Sequence, residues 1–523
     1  MYRSFLYTLF LVPAVCLLIS CFGDGSVPSR PNIIFIMSDD HGYQALSAYG
    51  SKLIKTPHID RLSKEGVIFT QAFVTNSICS PSRAALLTGK FSHKNKLYIN
   101  RNGYNRFDSS QVTFPRLLQK AGYQTAIIGK WHLKSRPVGF DYWNILPGQG
   151  QYYNPEFIEM GEEKQIPGYV TTLISDFAIR WLEDRNSDKP FCLLVHEKAP
   201  HRPWIPDTTT FTLFREENFP IPENYFDNYE GRRGAKEQKM SIISDMDLAY
   251  DLKMTDRENE INTPYRHLLE RMLARMSDRQ RAAWDREYEP KIEAFKKADL
   301  AGRALAVWKL RRYLTDYLRC IASIDSQIGR ILDYLDASGL SENTIVVYTS
   351  DQGFFLGEHG YFDKRYMYEE SFRTPLLMRY PGFRRKGKIT ELVQNIDFAP
   401  TVLDFADVPV PAEMQGMSIK PLLMNERPPS NWRKALYYHY YEYPGEHGTR
   451  RHYGIRTKRY KLIHFYYDFD EWELFDLKTD PYEMQNLYTD PEYNTLRNNL
   501  KMKLDSLRVV YSDTLPDPDY ISQ

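Results

Sequence analysis

The chain has 523 residues, of which 42% are hydrophobic and 26% are charged, a composition typical of a globular protein. This length can bury a large core and predicts either more than one domain or one large domain with a satellite. The formal net charge at pH 7 is +1, which excludes broad electrostatic capture of nucleic acid. An anionic substrate must therefore be recognised by a local site.

The N-terminal residues 1–20 have the pattern of an export signal. Arg3 precedes an apolar run from Phe5 to Ile19; about 15 apolar residues are too few for a membrane-spanning helix but suit a secretory signal. The run closes on Cys21, as in bacterial lipoprotein signals, where this cysteine becomes the lipidated first residue. An ordinary signal peptide cleaved nearby is the alternative. Both predict a protein outside the cytoplasm. The lipoprotein signal predicts a membrane anchor at Cys21, a tether over 21–30, and a bacterial lipoprotein facing the periplasm or the cell surface.

Four short apolar runs predict strands of a parallel sheet. Continuous runs of this length are typical of strands that are covered on both faces. Predicted helices lie between them, so the alternation predicts an α/β fold with a large mixed, mostly parallel sheet between helices. The predicted strands are Asn32–Ser38, Thr125–Ile128, Phe191–Val195 and Thr344–Tyr348, and the predicted helices are Pro57–Glu65, Val112–Ala121 and Thr171–Asp184.

The second half of the chain changes character twice. Residues 207–325 are charged, with helical spacing of apolar residues as in His267–Met276, and predict a helical insertion in a main domain over 31–424. Asn425–Asn431 has the composition of a linker. Residues 425–523 predict a small C-terminal α+β subdomain, with strands at His452–Ile455 and Tyr460–Phe465 and a helix at Tyr493–Val509.

Polar residues follow each of the four apolar runs. In open α/β sheets the ligand crevice lies outside the carboxyl ends of the strands, so these residues predict one shared site. Adjacent aspartates at a strand end can supply oxygen ligands to a hard divalent cation. The residues are Asp39 and Asp40, Lys130 and His132, His196 and His201, and Asp351 and Gln352.

A cysteine motif lies between the first two predicted strands. Cys79 begins the stretch Cys-Ser-Pro-Ser-Arg, which ends at Arg83, and Leu-Thr-Gly follows at 87–89. The proline and the final glycine predict a helix whose N-terminus, a position that favours anions, lies beside Cys79. No second cysteine is near in sequence. Cys192 lies in an apolar run and Cys320 in a helical pattern, which predicts two buried thiols rather than a disulfide.

This motif resembles the signature of the type I sulfatases, C-x-P-S-R followed by L-T-G, and Gly122–His132 resembles their second signature. The resemblance extends from Asn32 to Pro481. It implies an alkaline-phosphatase-like sandwich. It also implies that a maturation enzyme oxidises Cys79 to formylglycine, an aldehyde whose hydrate is the nucleophile, and that one Ca²⁺ binds beside it.

The resemblance also implies a role for each polar residue. The implied metal ligands are Asp39, Asp40, the modified Cys79, Asp351 and Gln352, of which Gln352 departs from the asparagine that is commonest there. The implied catalytic residues are Cys79 as nucleophile, Arg83, Lys130 and Lys364 as partners of the sulfate oxygens, His132 as partner of the hydrate and later base, and His201 as acid for the leaving oxygen.

Within this family the chain resembles the bacterial N-acetylglucosamine-6-sulfatases, on the stretches Asp351–Gly360 and Lys364–Glu370. The implied function is hydrolysis of the 6-O-sulfate of N-acetylglucosamine in glycosaminoglycans or mucins. Asp363, Arg365 and His452 are candidate sugar contacts. Three alternatives stay open: another glycan sulfatase acting on iduronate or galactose sulfate, a phosphonate or phosphate monoester hydrolase, and a catalytically silent glycan-binding lipoprotein.

Overall fold

The computed structural model of the protein describes residues 30–101, 106–215, 218–255, 261, 263–425 and 427–514. The predicted signal segment and the predicted lipidation site Cys21 lie outside the described residues. Among the helices that are described, none combines the length and the apolar character needed to cross a membrane.

The secondary structure of the described residues alternates strands and helices through the first 400 residues, continues in a meander of four strands and ends in a helix. Strands β1 to β18 are, in chain order, Asn32–Ser38, Val67–Phe69, Ala72–Phe73, Gln124–Lys130, Tyr142–Leu146, Glu156–Glu159, Glu162–Gln165, Phe191–His196, Thr344–Ser350, Phe355–Leu356, Phe362–Asp363, Leu376–Arg379, Gly387–Ile389, Val393–Gln394, Ala435–Tyr440, His452–Thr457, Tyr460–Phe465 and Glu471–Asp476. Helices α1 to α13 are Asp60–Glu65, Cys79–Thr88, Ser92–Asn95, Phe114–Lys120, Val170–Asp184, Arg233–Lys236, Arg266–Leu273, Asp278–Ala298, Gly302–Ala337, Glu369–Phe372, Phe398–Phe405, Lys420–Met424 and Asn494–Val510.

A ten-stranded sheet in the order β13-β2-β12-β9-β1-β8-β4-β5-β6-β7 forms the centre of the molecule. Its middle is parallel, since β1 pairs with β8 and β9, and β4 pairs with β8 and β5, all in parallel. Antiparallel pairs flank it, β12 with β9 and β2 on one side and β6 with β5 and β7 on the other. The predicted mixed sheet and its four predicted strands are confirmed.

Helices cover both faces of this sheet. Along β1, Ile34 and Ile36 face one apolar core, whereas Ile33, Phe35 and Met37 face the other. This alternation follows from the period of two in a strand and explains why the run is apolar throughout. Helices α5 and α9 contribute to the first core, and α2, α4 and α11 contribute to the second.

The predicted helical insertion is only partly helical. The described residues of 207–255 form mainly turns, with the 3₁₀ helix Thr208–Thr210 and the short helix α6, in keeping with Pro220 and Pro222, which cannot donate backbone hydrogen bonds. Helices α7 and α8 follow from Arg266 onward. The predicted end at Asp325 is wrong as a boundary, because α9 continues without a break to Ala337. The buried apolar residues of α9 continue past Asp325 and pack in the first core.

The C-terminal strands β15 to β18 form a separate antiparallel sheet in sequence order. Helix α13 packs on it, with Leu500 and Leu504 in the same apolar cluster as Ile455 and Leu462. The predicted α+β character of this part is confirmed. Cys192 and Cys320 are both buried free thiols, as predicted.

Candidate active site

A cavity of about 570 Å³ lies at the carboxyl ends of the parallel strands. Six residues predicted from sequence line it, and residues 442–446 of the C-terminal part form another portion of its wall. The predicted site residues in this wall are Cys79, His132, His201, Asp363, Lys364 and Arg365, the last three from one loop.

Cys79 is the first residue of α2, and every residue of this helix is buried. The sulfur of Cys79, a carboxylate oxygen of Asp39 and a ring nitrogen of His201 all lie within 4.8 Å of one another. Burial raises the pKa of the Cys79 thiol to about 12, so the thiol is neutral near pH 7. A neutral thiol is a poor nucleophile, so this side chain as encoded is not suited to thiolate chemistry.

Three buried carboxylates form the floor of the site. Oxygens of Asp39, Asp40 and Asp351 lie within 4.8 Å of one another, and the Asp40 backbone N–H donates to Asp351 Oδ1 at 3.1 Å. Burial raises the pKa of Asp40 to about 8 and that of Asp351 to about 6. Burial alone would also raise the pKa of Asp39, but Lys130 and His201, among other neighbouring cations, hold it well below its ordinary value.

The donor set of this floor fits a hard divalent cation. Asp39 Oδ1 and Gln352 Oε1 are both buried and accept no hydrogen bond. Buried oxygens without donors are costly, and a cation that prefers oxygen ligands would satisfy them. Asp40 and Asp351 supply the other carboxylates, so Gln352 lies with the three aspartates as the sequence predicts, with its amide nitrogen donating to Asp40.

Two lysines neutralise this floor from different sides. Lys364 Nζ donates to both carboxylate oxygens of Asp40 at 2.6 Å. Lys130 Nζ pairs with Asp39 and with the Gln149 side chain. The Lys130 side chain is fully buried and does not line the cavity. Lys130 follows Gly129, where φ is +100° and an added Cβ would lie 2.0 Å from a backbone oxygen of the adjacent strand β8. Only glycine fits there.

Arg83 does not line the cavity, in contrast to the predicted contact with sulfate oxygens. Its Nε and Nη2 donate to Asp351 Oδ2 at 3.2 and 3.0 Å, and its Nη1 donates to the backbone oxygen of Lys130 at 2.8 Å. The side chain is 1% exposed. Because its donors are directed at protein groups, Arg83 positions Asp351 and the end of β4.

In both histidines of the cavity, Nδ1 lies within hydrogen-bonding distance of an oxygen atom. His201 Nδ1 lies 2.7 Å from the backbone oxygen of Arg202, which can only accept, so Nδ1 carries a proton. Its Nε2 lies 3.8 Å from Asp40 Oδ2. His132 Nδ1 lies 3.3 Å from Ser80 Oγ. Burial lowers the pKa of both rings well below its ordinary value.

Four of the predicted site residues have backbone φ in the left-handed region. The values are +73° for Asp40, +55° for His132, +76° for Asp363 and +86° for Arg365. This conformation is uncommon outside glycine and costs of order 1–3 kcal/mol per residue. Such strain concentrates at functional sites, where the surrounding structure holds it.

The candidate sugar contacts divide into two groups. Asp363 and Arg365 line the cavity and pair with each other at 2.5 Å. His452 does not reach it: the ring is fully buried, stacks against Tyr438 and Tyr440, and its Nδ1 pairs with the backbone oxygen of Arg450 at 2.7 Å. The predicted sugar contact at His452 is therefore wrong, because neighbouring strands of the C-terminal sheet enclose it.

Sequence reasoning missed four residues in and behind the cavity wall. Gln149 follows β5, whose carboxyl end lies beside that of β4, so the strand-end rule could have found it. Arg202 directly follows His201 and pairs with Glu446 at 3.0 Å. His447 holds Asp363 Oδ2 at 2.8 Å. Glu446 and His447 come from a loop that is distant in sequence from the strand ends, and no local sequence signal identifies them.

Comparisons with known proteins agree with this geometry. The family model described as Sulfatase matches residues 31–408, and the model described as N-sulphoglucosamine sulphohydrolase, C-terminal, matches residues 357–510. An N-acetylglucosamine-6-O-sulfatase of Bacteroides thetaiotaomicron is 49% identical over 98% of this chain and 92% of its own length. The N-acetylglucosamine-6-sulfatase of Homo sapiens is 27% identical over 84% of this chain and 71% of its own length.

One solved structure is similar over almost the whole fold. It is the complex of a protein with its substrate D-glucosamine-2-N,6-O-disulfate, and it aligns with a TM-score of 0.90 and 50% sequence identity. The alignment covers 93% of this chain and 99% of that chain. The alkaline-phosphatase-like fold predicted from the sequence is confirmed by this similarity together with the sulfatase match.

Proposed function

Because this chain belongs to the sulfatase family, we propose that it hydrolyses the 6-O-sulfate ester of N-acetylglucosamine units in glycans. The observation that carries the proposal is the 49% identity, over 98% of the chain, to an N-acetylglucosamine-6-O-sulfatase. The cavity supports it, because Cys79 lies against the aspartate cluster at one end and Asp363 and Arg365 line the wall.

We propose that one Ca²⁺ and a formylglycine made from Cys79 complete the site. Asp39, Asp40, Asp351 and Gln352 would hold the cation, as the two buried oxygens without donors indicate. When present, the cation polarises the sulfate group and the aldehyde hydrate supplies the attacking oxygen. The neutral Cys79 thiol supports the need for this conversion, since it gives little thiolate near pH 7.

The chain's own residues then bind sulfate and move protons. Lys364 lies in the cavity wall and neutralises the sulfate oxygens as negative charge redistributes, while the buried Lys130 neutralises Asp39. His132 Nε2 accepts a proton in the step that releases sulfate. His201 would donate a proton from Nε2 to the leaving sugar oxygen. Because its Nδ1–H remains hydrogen-bonded to the Arg202 carbonyl, the ring must be doubly protonated for this step, a form that burial disfavours and that a bound sulfate anion would favour.

The sugar end of the substrate would lie against Asp363 and Arg365. Arg365 also pairs with Glu446 at 3.1 Å, so the carboxylates of the cavity wall have cationic partners and can accept hydrogen bonds from sugar hydroxyls. A cavity of about 570 Å³ is large enough to enclose a sulfated monosaccharide. The substrate of the similar solved structure, D-glucosamine-2-N,6-O-disulfate, carries the same 6-O-sulfate on a glucosamine ring, together with an N-sulfate.

We also propose that the protein is an exported bacterial lipoprotein, anchored through Cys21 and facing the periplasm or the cell surface, and that a formylglycine-generating enzyme matures it. The apolar run that closes on Cys21 supports the anchor. Globomycin treatment of the producing cells tests it, with accumulation of the uncleaved precursor expected. Normal processing in its presence would contradict the lipid anchor.

Peptide mass spectrometry of the tryptic fragment 65–83 tests the chemistry of the site. Protein purified from its own host should carry an aldehyde at position 79, and the same preparation should release sulfate from N-acetylglucosamine-6-sulfate. Aldehyde-bearing protein that releases no sulfate from this sugar, but does so from iduronate or galactose sulfates, would overturn the proposed substrate. Release of phosphate from phosphate monoesters in place of sulfate would overturn the reaction.

A further inference from the structure

We propose that Ser80 is a positioning residue that fixes the tautomer of His132, so that Nδ1 carries the ring proton and Nε2 is left free to accept one. The kinetic part of this inference rests on the proposed function, whereas its structural part does not. Ser80 is the second residue of α2 and is fully buried beside Cys79. Its backbone N–H donates to Asn100 Oδ1 at 3.0 Å, which fixes the position of the hydroxyl.

The hydroxyl of Ser80 makes two contacts with one residue. Its Oγ lies 2.8 Å from the backbone oxygen of His132 and 3.3 Å from Nδ1 of the same residue. A carbonyl oxygen only accepts, so at 2.8 Å the single hydroxyl proton must point at it. With this proton placed, Ser80 Oγ can only accept from Nδ1. Neutral His132 therefore carries its proton on Nδ1.

The position of this ring proton determines whether His132 can act as a base through Nε2. In the opposite tautomer Nε2 would carry the proton, and His132 could not act as a base through that nitrogen. The backbone of His132 has φ of +55°, so both its carbonyl and its ring depend on a conformation that few residues adopt. Because Ser80 contacts both the backbone oxygen and the ring of His132, the backbone conformation of His132 and its tautomer depend on each other.

The test compares three variants of the full chain. Ser80→Ala removes the hydroxyl, Ser80→Thr keeps it, and Ser82→Ala removes a neighbouring hydroxyl of α2 that donates to the Asp351 backbone instead. Each is labelled with ¹⁵N-histidine, and the His132 ring signals are assigned from their loss in His132→Gln. Sulfate release is measured per mole of aldehyde at position 79, because Ser80 and Ser82 lie in the motif that is matured.

In the parent, Ser80→Thr and Ser82→Ala, the His132 signals should show a protonated Nδ1 and a bare Nε2. In Ser80→Ala a second set with protonated Nε2 should appear, and kcat should fall roughly tenfold, as for the loss of one buried hydrogen bond, with KM within about twofold. A bare Nδ1 in the parent, or an unchanged tautomer in Ser80→Ala, would overturn the inference. If the parent releases no sulfate, the proposed function fails, but the ring signals still decide the role of Ser80.

Discussion

Replacement of Arg83 by lysine separates a positioning role from a role in binding sulfate. Arg83 makes two hydrogen bonds to Asp351 Oδ2 and one to the backbone oxygen of Lys130, all inside the protein. A lysine keeps the positive charge, but its single nitrogen cannot occupy all three donor positions. Lysine should therefore leave some of these buried acceptors without their present donors.

The expected cost follows from these contacts. A hydrogen bond that involves a charged group contributes about 1.5–3 kcal/mol, so two lost bonds cost roughly 3 kcal/mol after the retained charge is allowed for. This is a large part of a stability that is typically about 5–15 kcal/mol. Displacement of Asp351 by even 1 Å should also lower kcat/KM by roughly 100-fold. Because Arg83 is absent from the cavity wall, KM should change much less than kcat.

Urea unfolding and initial rates of sulfate release measure both effects, with the rates expressed per mole of aldehyde at position 79 because Arg83 lies in the motif that is matured. Arg136→Lys is the matched control, since Arg136 is exposed and lies over the Trp143 ring, and it should change the free energy of unfolding by about 0.5 kcal/mol or less. The reasoning is refuted if Arg83→Lys unfolds like the control. It is also refuted if its main effect is a rise in KM with kcat unchanged.

Cys79→Ala should release no sulfate while keeping the parent's far-ultraviolet circular dichroism, and measurable turnover would contradict the role of position 79. His452→Phe should keep KM within about twofold because the His452 ring is enclosed. Arg365→Lys should raise KM roughly tenfold, because a hydrogen bond from a charged group is lost. Equal effects of the two variants in steady-state rates would contradict the assignment of Arg365, and not His452, to the sugar site. Without metal, the raised pKa of Asp40 means that this carboxyl binds more protons in the folded protein than in the unfolded chain up to about pH 8, as Asp351 does up to about pH 6. The buried histidines, whose pKa is lowered, oppose this below their ordinary pKa of 6.5, so the free energy of unfolding in chelator should fall as pH rises from about 6.5 to about 8. Added Ca²⁺ should flatten this slope in urea titrations, and an unchanged slope would argue against a cation at these carboxylates.

The sequence was most informative where local rules determine position. Apolar runs identified the four central strands, and the rule that ligands bind at the carboxyl ends of parallel strands placed Asp39, Lys130, His201 and Asp351 at one site. The same rule applies to Gln149, which was missed because its strand β5 was not predicted.

Contacts that depend on tertiary packing could not be predicted in this way. Arg83 lies one turn after Cys79, so helical spacing suggests a shared face, but α2 is buried on all sides and Arg83 meets Asp351 instead. His452 pairs with Tyr440 and Phe465 in adjacent strands, and only this register shows that its ring is enclosed. The cavity loop at Glu446 and His447 joins the site through folding of distant segments.

The most direct measurement is sulfate release by protein whose aldehyde at position 79 has been verified by mass spectrometry. N-acetylglucosamine-6-sulfate is compared with N-acetylglucosamine-3-sulfate and galactose-6-sulfate under identical conditions. Preferred release from N-acetylglucosamine-6-sulfate is the predicted result. Equal or greater release from either of the other two sugars would contradict the proposed function.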